Sequence, residues 1–239
     1  MTNEFNTPPT WRIPDSIVFG LHSMQDHTQT LDPAEDECVR SAAPKRRLEF
    51  STARHAIRQI MNRWGIPPQP VTIGADGQPI WPKPVHGSIT HTRDLCWVAL
   101  TRDPEIRSIG IDIERRDRMH PGLWERITTD SERSTRACDT LPSGISANDF
   151  HSVIFSAKEA FFKCQYPLTS HWLGFKDVEL SMSFDSNSVT ASIANGQRFP
   201  NDDLSLSGFF SITEQHVFSI FLLSSKRNTG EPAPLKSHL

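Results

Sequence analysis

Neither sign of charge is in excess over the 239 residues: 25 Lys and Arg stand against 28 Asp and Glu, for a formal net charge of -3. Without a global basic field a nucleic-acid partner is not expected, so any anion binding must come from local clusters. Long apolar runs are also missing. None approaches the ~20 residues that a membrane helix needs, and the stretch from Met1 to Trp11 is polar and proline-bearing, unlike a signal peptide. The four cysteines, Cys38, Cys96, Cys138 and Cys164, show no C-x-x-C spacing. That pattern argues against a disulfide frame or zinc site and predicts a reduced, cytoplasmic protein whose cysteines are small buried apolar residues. Neither G-x-x-x-x-G-K-[ST] nor G-x-G-x-x-G occurs, which argues against nucleotide-processing enzymes built on those loops.

What is present suits a globular domain or two small ones: 36% of residues are hydrophobic and 22% charged. Residues 1–40 carry prolines and an acidic patch and read as an irregular arm, with some strand near Ser16 to Gly20. Phe50, Ala53, Ile57, Ile60, Met61 and Trp64 fall at helical spacing and predict an amphipathic helix from Pro44 to Trp64, stopped by Gly65. Its polar face would hold Arg46, Arg47, Arg54 and Arg58. A proline-rich passage with a turn at Ala75-Asp76-Gly77 follows. Strands are expected at 88–91, 96–101 and 108–114, then a polar stretch over 119–148 with one short helix near Trp124.

Phe150, Val153, Ile154, Ala157, Phe161 and Cys164 predict a second amphipathic helix that ends before Pro167. Alternating strands are expected at 178–184, 188–193, 208–212 and 216–223, and a disordered tail over 224–239. The two halves echo each other: Gly87-Ser88-Ile89-Thr90 resembles Phe210-Ser211-Ile212-Thr213, and each precedes an apolar strand. A duplication would place a ligand cleft between the halves. The expected division is an arm (1–40), an N-terminal α+β half (41–108), a C-terminal α+β half (109–223) and the tail.

The chemistry concentrates in two segments. Ile109-Gly110-Ile111-Asp112-Ile113-Glu114 sets two carboxylates two residues apart in an apolar strand, so both point to one face. Phe155-Ser156-Ala157-Lys158-Glu159-Ala160-Phe161-Phe162-Lys163 sets Glu159 and Lys163 on one helix face. Three acids converging with lysines suit a magnesium ion that holds a polyphosphate, because that ion takes oxygen ligands and leaves positions for phosphate.

These segments together resemble the signature of the 4'-phosphopantetheinyl transferase superfamily. Trp81-Pro82 followed by Gly87-Ser88-Ile89-Thr90-His91, and Arg46-Arg47-Leu48-Glu49-Phe50 with Arg54, are similar to motifs of its surfactin- and enterobactin-synthetase-type branch. The likeness runs from about Lys45 to Leu223. Three positions depart from the pattern: Ala53 replaces a glycine, Gly77-Gln78-Pro79 replaces Gly-Lys-Pro, and Thr90 replaces a serine.

The resemblance implies an α+β fold of two similar halves related by pseudo-twofold symmetry, with the active site between them. It implies transfer of the phosphopantetheine arm of coenzyme A to a serine of apo acyl or peptidyl carrier proteins, with release of adenosine 3',5'-bisphosphate. Nonribosomal peptide or siderophore synthesis would be served, by a monomer. Asp112, Glu114 and Glu159 would ligate Mg2+. Arg47, Arg54, Gly77, Ser88, Thr90, His91, Lys158 and Lys163 would contact coenzyme A. Lys158 would meet the leaving phosphate, Lys163 a phosphate or the entering hydroxyl, and Glu132 would be the base, with a metal-bound water at Glu159 as the alternative. The rival readings are a non-catalytic scaffold that binds coenzyme A or carrier domains, and another magnesium-dependent nucleotide-processing enzyme.

Overall fold

A computed structural model of the chain describes residues 11–67, 69–137, 141–194 and 206–224. The expected tail beyond residue 224, and Cys138, lie outside them. The stretch read as an irregular arm is more ordered than that: strand β1 (Ile17–Ser23) overlaps the strand expected near Ser16 to Gly20, and helix α1 (Pro33–Val39) was not expected. Asp32 caps α1 reciprocally with Glu35. Glu35, only 1% exposed, also accepts from Arg58 at 2.6 Å and from the Val71 amide at 2.9 Å, which fastens α1 to the body of the fold. Its negative charge made the segment read as solvent-facing; buried pairing with Arg58 reverses that.

Helix α2 (Pro44–Arg63) starts on a proline, whose missing N–H costs nothing in a first turn. Gly65, at φ +68°, ends it, and the Ile66 amide reaches back to the Met61 carbonyl at 3.0 Å. The buried stripe of α2, including Ala53, Ile57, Ile60 and Met61, packs on Cys96, Val98 and Leu100. A short hairpin, β2 (Thr72–Ile73) and β3 (Pro79–Ile80), turns at the expected Asp76-Gly77. Strands β4 (His86–His91), β5 (Leu95–Thr101) and β6 (Ile106–Arg115) follow.

The polar stretch 119–148 holds two helices, α3 (Pro121–Ile127) and α4 (Asp130–Ala137), where one short helix and exposed loop were expected. Helix α5 (Ala147–Thr169) opens on a capping box of Ser146 with Asp149 and does not stop before Pro167. Pro167 forfeits one amide bond. The last turn survives on side-chain bonds: Gln165 donates to the His171 carbonyl at 2.9 Å and accepts from the Thr169 hydroxyl at 2.5 Å. Phe162 and Tyr166 pack there against Trp172, with ring centroids 4.8 and 6.3 Å away. Four strands complete the chain: β7 (Val178–Ser183), β8 (Ser188–Ile193), β9 (Leu206–Ile212) and β10 (His216–Ser224). No helix among the described residues is long and apolar enough to cross a membrane.

The suspected duplication is visible in the topology. In the first half, β1 pairs β5 and β5 pairs β4; in the second, β6 pairs β10 and β10 pairs β9, all antiparallel. Each unit is thus strand, helix, strand, strand, with the last strand central. The second half extends its sheet by β8 and β7. The strand expected near Ser16 to Gly20 was not assigned to the first unit, because it lay in the stretch read as an arm.

The halves meet where β4 and β6, each an edge strand, lie side by side. Instead of a backbone ladder, the Ser88 hydroxyl accepts from the Ile111 amide at 3.1 Å and the Thr90 hydroxyl from the Ile113 amide at 3.3 Å. Ile109, Ile111 and Ile113 enter a core shared with Trp97, Ala99 and Phe218. The alternate residues of β6 face α5, and Gly110 lets the helix approach. A Cβ there would lie 1.9 Å from the Ala160 carbonyl oxygen and 2.4 Å from the Cys164 nitrogen.

Gly110→Ala should therefore destabilise the protein by about 3 kcal/mol or more, the upper range for overpacking; urea denaturation measures this. A second expectation concerns acid. Burial, then repulsion from His55, His27 and Arg63, pushes the His22 pKa down from 6.5 to about 4. The stacked pair His27 and His55, centroids 3.7 Å apart, is lowered too, chiefly by burial. The unfolded chain binds these protons at higher pH than the folded one, so stability should fall between pH 6.5 and about 4. A Tm series across that range should decline, and His22→Gln should flatten the decline.

Candidate active site

Period two along β6 puts Asp112 and Glu114 beside each other on the face turned to α5. Both are buried, at 4% and 6% exposure. The Oδ1 atom of Asp112 accepts from Lys163 Nζ at 2.7 Å and from the Thr90 hydroxyl at 3.0 Å, while its Oδ2 is buried with no hydrogen-bond partner. Glu114 accepts from Arg118. Burial and the like charge of Asp112 push the Glu114 carboxyl up to about 7, against the pull of Arg118. Glu159, half-buried on α5, is raised by burial and by Asp112, and Lys163 opposes the shift. Asp112 thus acts on both Glu114 and Glu159 at the junction of β6 and α5.

Among the described residues no three His, Cys, Asp or Glu side chains stand in a closed metal-holding group. Lys163 and Arg118 turn into the acids instead. The donor set still fits a hard divalent cation: three carboxylates from β6 and α5, two of them held above their ordinary range.

Beside the acids lies a groove of about 360 Å³, walled by both halves. From α2 come Arg46, Glu49, Phe50 and Arg54; from the β2–β3 turn Asp76, Gly77 and Gln78; from β4 Ser88 and His91; from β6 Arg107. α5 adds Phe162, Lys163 and Tyr166, and Trp172 stands next to them with 75% exposure. Arg46, Arg54, Arg107 and Lys163 make the groove cationic, and Phe162, Tyr166 and Trp172 make its α5 lip aromatic. Arg54 is buried: its Nε donates to the Val71 carbonyl at 2.6 Å and its guanidinium lies 3.9 Å from the Phe50 ring centroid. Desolvation lowers its pKa to about 10, so it remains charged near neutrality. His91 stands 3.5 Å from Glu49. Burial lowers its pKa, Glu49 pulls it up, and Lys163 and Arg46 push it down.

Several sequence expectations are corrected by this placement. Arg47 turns away from the groove, its Nη1 donating to the Arg40 carbonyl at 3.1 Å and its Nη2 3.4 Å from Asp36. Arg46, assigned to the solvated face, lines the groove. The signal was available: Arg46, Phe50, Ala53 and Arg54 form one helical stripe at i, i+4, i+7 and i+8. Thr90 is buried and bonded to Asp112 and β6, so it supports the acids and does not line the groove. Ser88 lines the groove, and its oxygen accepts from the Ile111 amide, which leaves its O–H able to donate.

The largest correction concerns Lys158 and Glu132, expected at the leaving phosphate and as base. Lys158 is 3% exposed and donates to the Ile127 carbonyl, Glu132 Oε2 and the Phe175 carbonyl at 2.9, 2.8 and 2.7 Å. Glu132, also 3% exposed, accepts further from the Thr129 and Leu180 amides at 2.8 and 2.9 Å. Neither lines the groove. Burial lowers the Lys158 pKa, and Glu132 counters it. Every donor and acceptor of the pair is engaged, tying α4, α5 and β7 together. Lys158 and Lys163 are five residues apart, more than one helical turn, so they leave α5 on opposite sides. Arg107 and Tyr166 were not foreseen, because neither belongs to a recognisable spacing pattern.

Comparison with known proteins agrees with the two-part organisation. Residues 34–101 match the 4'-phosphopantetheinyl transferase N-terminal domain and residues 108–218 the 4'-phosphopantetheinyl transferase superfamily. The chain belongs to the 4'-phosphopantetheinyl transferases, a family of enzymes. It is 34% identical over 176 residues to 4'-phosphopantetheinyl transferase PptT of Mycobacterium tuberculosis, covering 74% of this chain and 75% of that one. It is 34% identical over 189 residues to 4'-phosphopantetheinyl transferase Svp of Streptomyces mobaraensis, covering 77% and 74%. Enterobactin synthase component D of Escherichia coli K12 is 31% identical over 178 residues, covering 69% of this chain and 80% of that one.

The buried pair gives a test of its structural role. Glu132→Gln and Lys158→Met should each cost about 3–5 kcal/mol, whereas the double variant Glu132→Leu/Lys158→Met should recover most of that loss. Chemical denaturation of the three variants measures this, and activity of the folded single variants separates the two roles: it persists if the pair is structural and is lost outright if the pair is catalytic.

Proposed function

We propose that the chain transfers the 4'-phosphopantetheine arm of coenzyme A to a serine hydroxyl of apo acyl or peptidyl carrier proteins, releasing adenosine 3',5'-bisphosphate. The observation that carries the reading is a cationic groove between two α+β halves, lined in part by Lys163, whose ammonium bonds Asp112 at 2.7 Å. Coenzyme A has the matching anatomy: an adenosine bearing a 3'-phosphate, a diphosphate, and a long arm of low charge. Arg46, Arg54, Arg107 and His91 are set to take phosphate oxygens, with arginine forks giving paired charge-assisted bonds. Gly77 and its turn, together with Trp81, border the adenosine end. Phe162, Tyr166 and Trp172 add an aromatic wall that meets this turn where Tyr166 bonds Asp76.

Asp112, Glu114 and Glu159 would hold Mg2+, which supplies charge compensation for the diphosphate when bound. Lys163 is positioned for an exchange of partners, from Asp112 to a phosphate oxygen, as the acids take up the cation. In the reaction the carrier serine oxygen bonds to the phosphorus that bears the arm. The bond from that phosphorus to the bridging oxygen breaks, and the nucleotide bisphosphate leaves with the bond's electron pair. The serine proton needs an acceptor. With Glu132 saturated, Glu159 is the acceptor this arrangement supports, since its carboxyl is partly exposed and stands with Asp112 and Lys163.

One chain carries both walls of the groove, so a monomer suffices. Buried free cysteines at 96 and 164 favour a reducing, cytoplasmic setting. The likeness to enterobactin synthase component D favours carriers of siderophore or nonribosomal peptide assembly.

Incubation with coenzyme A, Mg2+ and a panel of apo carriers, read by intact mass, tests the reading. Modified carrier and released adenosine 3',5'-bisphosphate are expected, and tight coenzyme A binding without transfer to any carrier would leave only a binding scaffold. Asp112→Asn should lower kcat on the order of a hundredfold or more. Arg46→Ala and Arg107→Ala should each raise KM for coenzyme A roughly tenfold through loss of a charge-assisted bond, with kcat little changed.

A further inference from the structure

Three buried oxygens without hydrogen-bond partners fall on the faces where β6 and β10 meet α5: Asp112 Oδ2, Ser156 Oγ and Ser219 Oγ. The two serines are fully buried. Ser219 is the cross-strand partner of Asp112, so the two side chains share a face of the sheet. Ser156 is brought to the same place by the packing of α5. The Ser108 hydroxyl bonds the Cys164 carbonyl at 2.6 Å, and Gly110 lies against the Ala160 carbonyl, so moving up β6 means moving down the helix. Two residues beyond Gly110 on that strand face is Asp112, and one turn before Ala160 is Ser156.

An unpaired buried carboxylate oxygen is costly, and a buried hydroxyl without a partner is also unfavourable. Ser152, one turn earlier on α5, satisfies itself by donating to the Asn148 carbonyl at 2.9 Å; Ser156 does not. Rotation about a single χ1, between staggered wells, redirects a serine donor. We propose that Ser156 and Ser219 are positioning residues for Asp112, whose Oδ2 receives their hydroxyls directly or through one shared buried water. Thr90 and Lys163 hold the other oxygen, so the carboxylate plane is fixed from both ends. Neither serine touches coenzyme A or the carrier. The consequence for catalysis rests on the reading of Asp112 as a cation ligand, but the cradle itself does not.

Two measurements decide it. In a high-resolution crystal structure of the full chain, Ser156 Oγ, Ser219 Oγ or a water bonded to both should lie about 2.6–3.2 Å from Asp112 Oδ2. A dry, unpaired Oδ2 overturns the proposal. Mn2+ binding followed by electron paramagnetic resonance, with coenzyme A present, supplies the functional arm. Ser156→Ala and Ser219→Ala should each weaken Mn2+ about tenfold, as loss of an outer support does, with Tm held and kcat at saturating metal retained; Ser219→Thr should restore affinity. Wild-type affinity in both alanine variants overturns a positioning role. If the unaltered chain binds no Mn2+, the proposed metal chemistry fails, and the crystal structure alone then judges the cradle.

Discussion

The close approach of α5 to β6 at Gly110 is the contact on which the rest of the site depends. A strand residue without a side chain lets the helix backbone come down onto the sheet. The neighbouring strand residues on that face, Asp112 and Glu114, then meet the helix residues Glu159 and Lys163. The acids come from rigid elements packed through their main chains, so their proximity survives mutual repulsion. Burial first, and the charge of Asp112 with it, raise the carboxyls of Glu114 and Glu159, and Lys163 and Arg118 stand as counter-charges.

The second constraint is the junction between the halves. Edge strands β4 and β6 expose amides that would otherwise invite pairing. Ser88 and Thr90 occupy those amides with hydroxyls, which keeps the two sheets separate while fixing their offset. The groove is the space left beside that junction, and it inherits cations from α2 on one side and from β6 and α5 on the other. Thr90 joins the two constraints, since its hydroxyl also donates to Asp112. A motif that resembles a ligand contact is here the hinge pin between the halves and the acids.

Charge on paper and charge in space part company at several residues. Glu35 and Glu132 both sit in polar sequence, yet both are buried and each binds a cation and backbone amides. Such groups are costly to strip of one partner, and they tie peripheral helices to the core. Lys158 and Glu159 are adjacent in sequence and serve opposite ends of this logic: one side chain dives into the body of the second half, the other faces the acids. A helix separates neighbours by about 100°, a rotation that motif reading does not resolve.

The sequence by itself determined the two long helices, most of the strands, the shared face of Asp112 and Glu114, and the family, because periodicity and short motifs are local. It also carried a hint of duplication and of strand near Ser16 to Gly20, though not the pairing with β5 that makes β1 the opening strand of the first unit. Tertiary structure alone decided that Arg107 lines the groove and Arg47 does not, that Lys158 and Glu132 satisfy each other, and that α5 runs through Pro167. Each of these outcomes turns on which partner a side chain finds across the fold, and hydrogen bonds and desolvation are settled by distances of a few ångström between residues far apart in the chain.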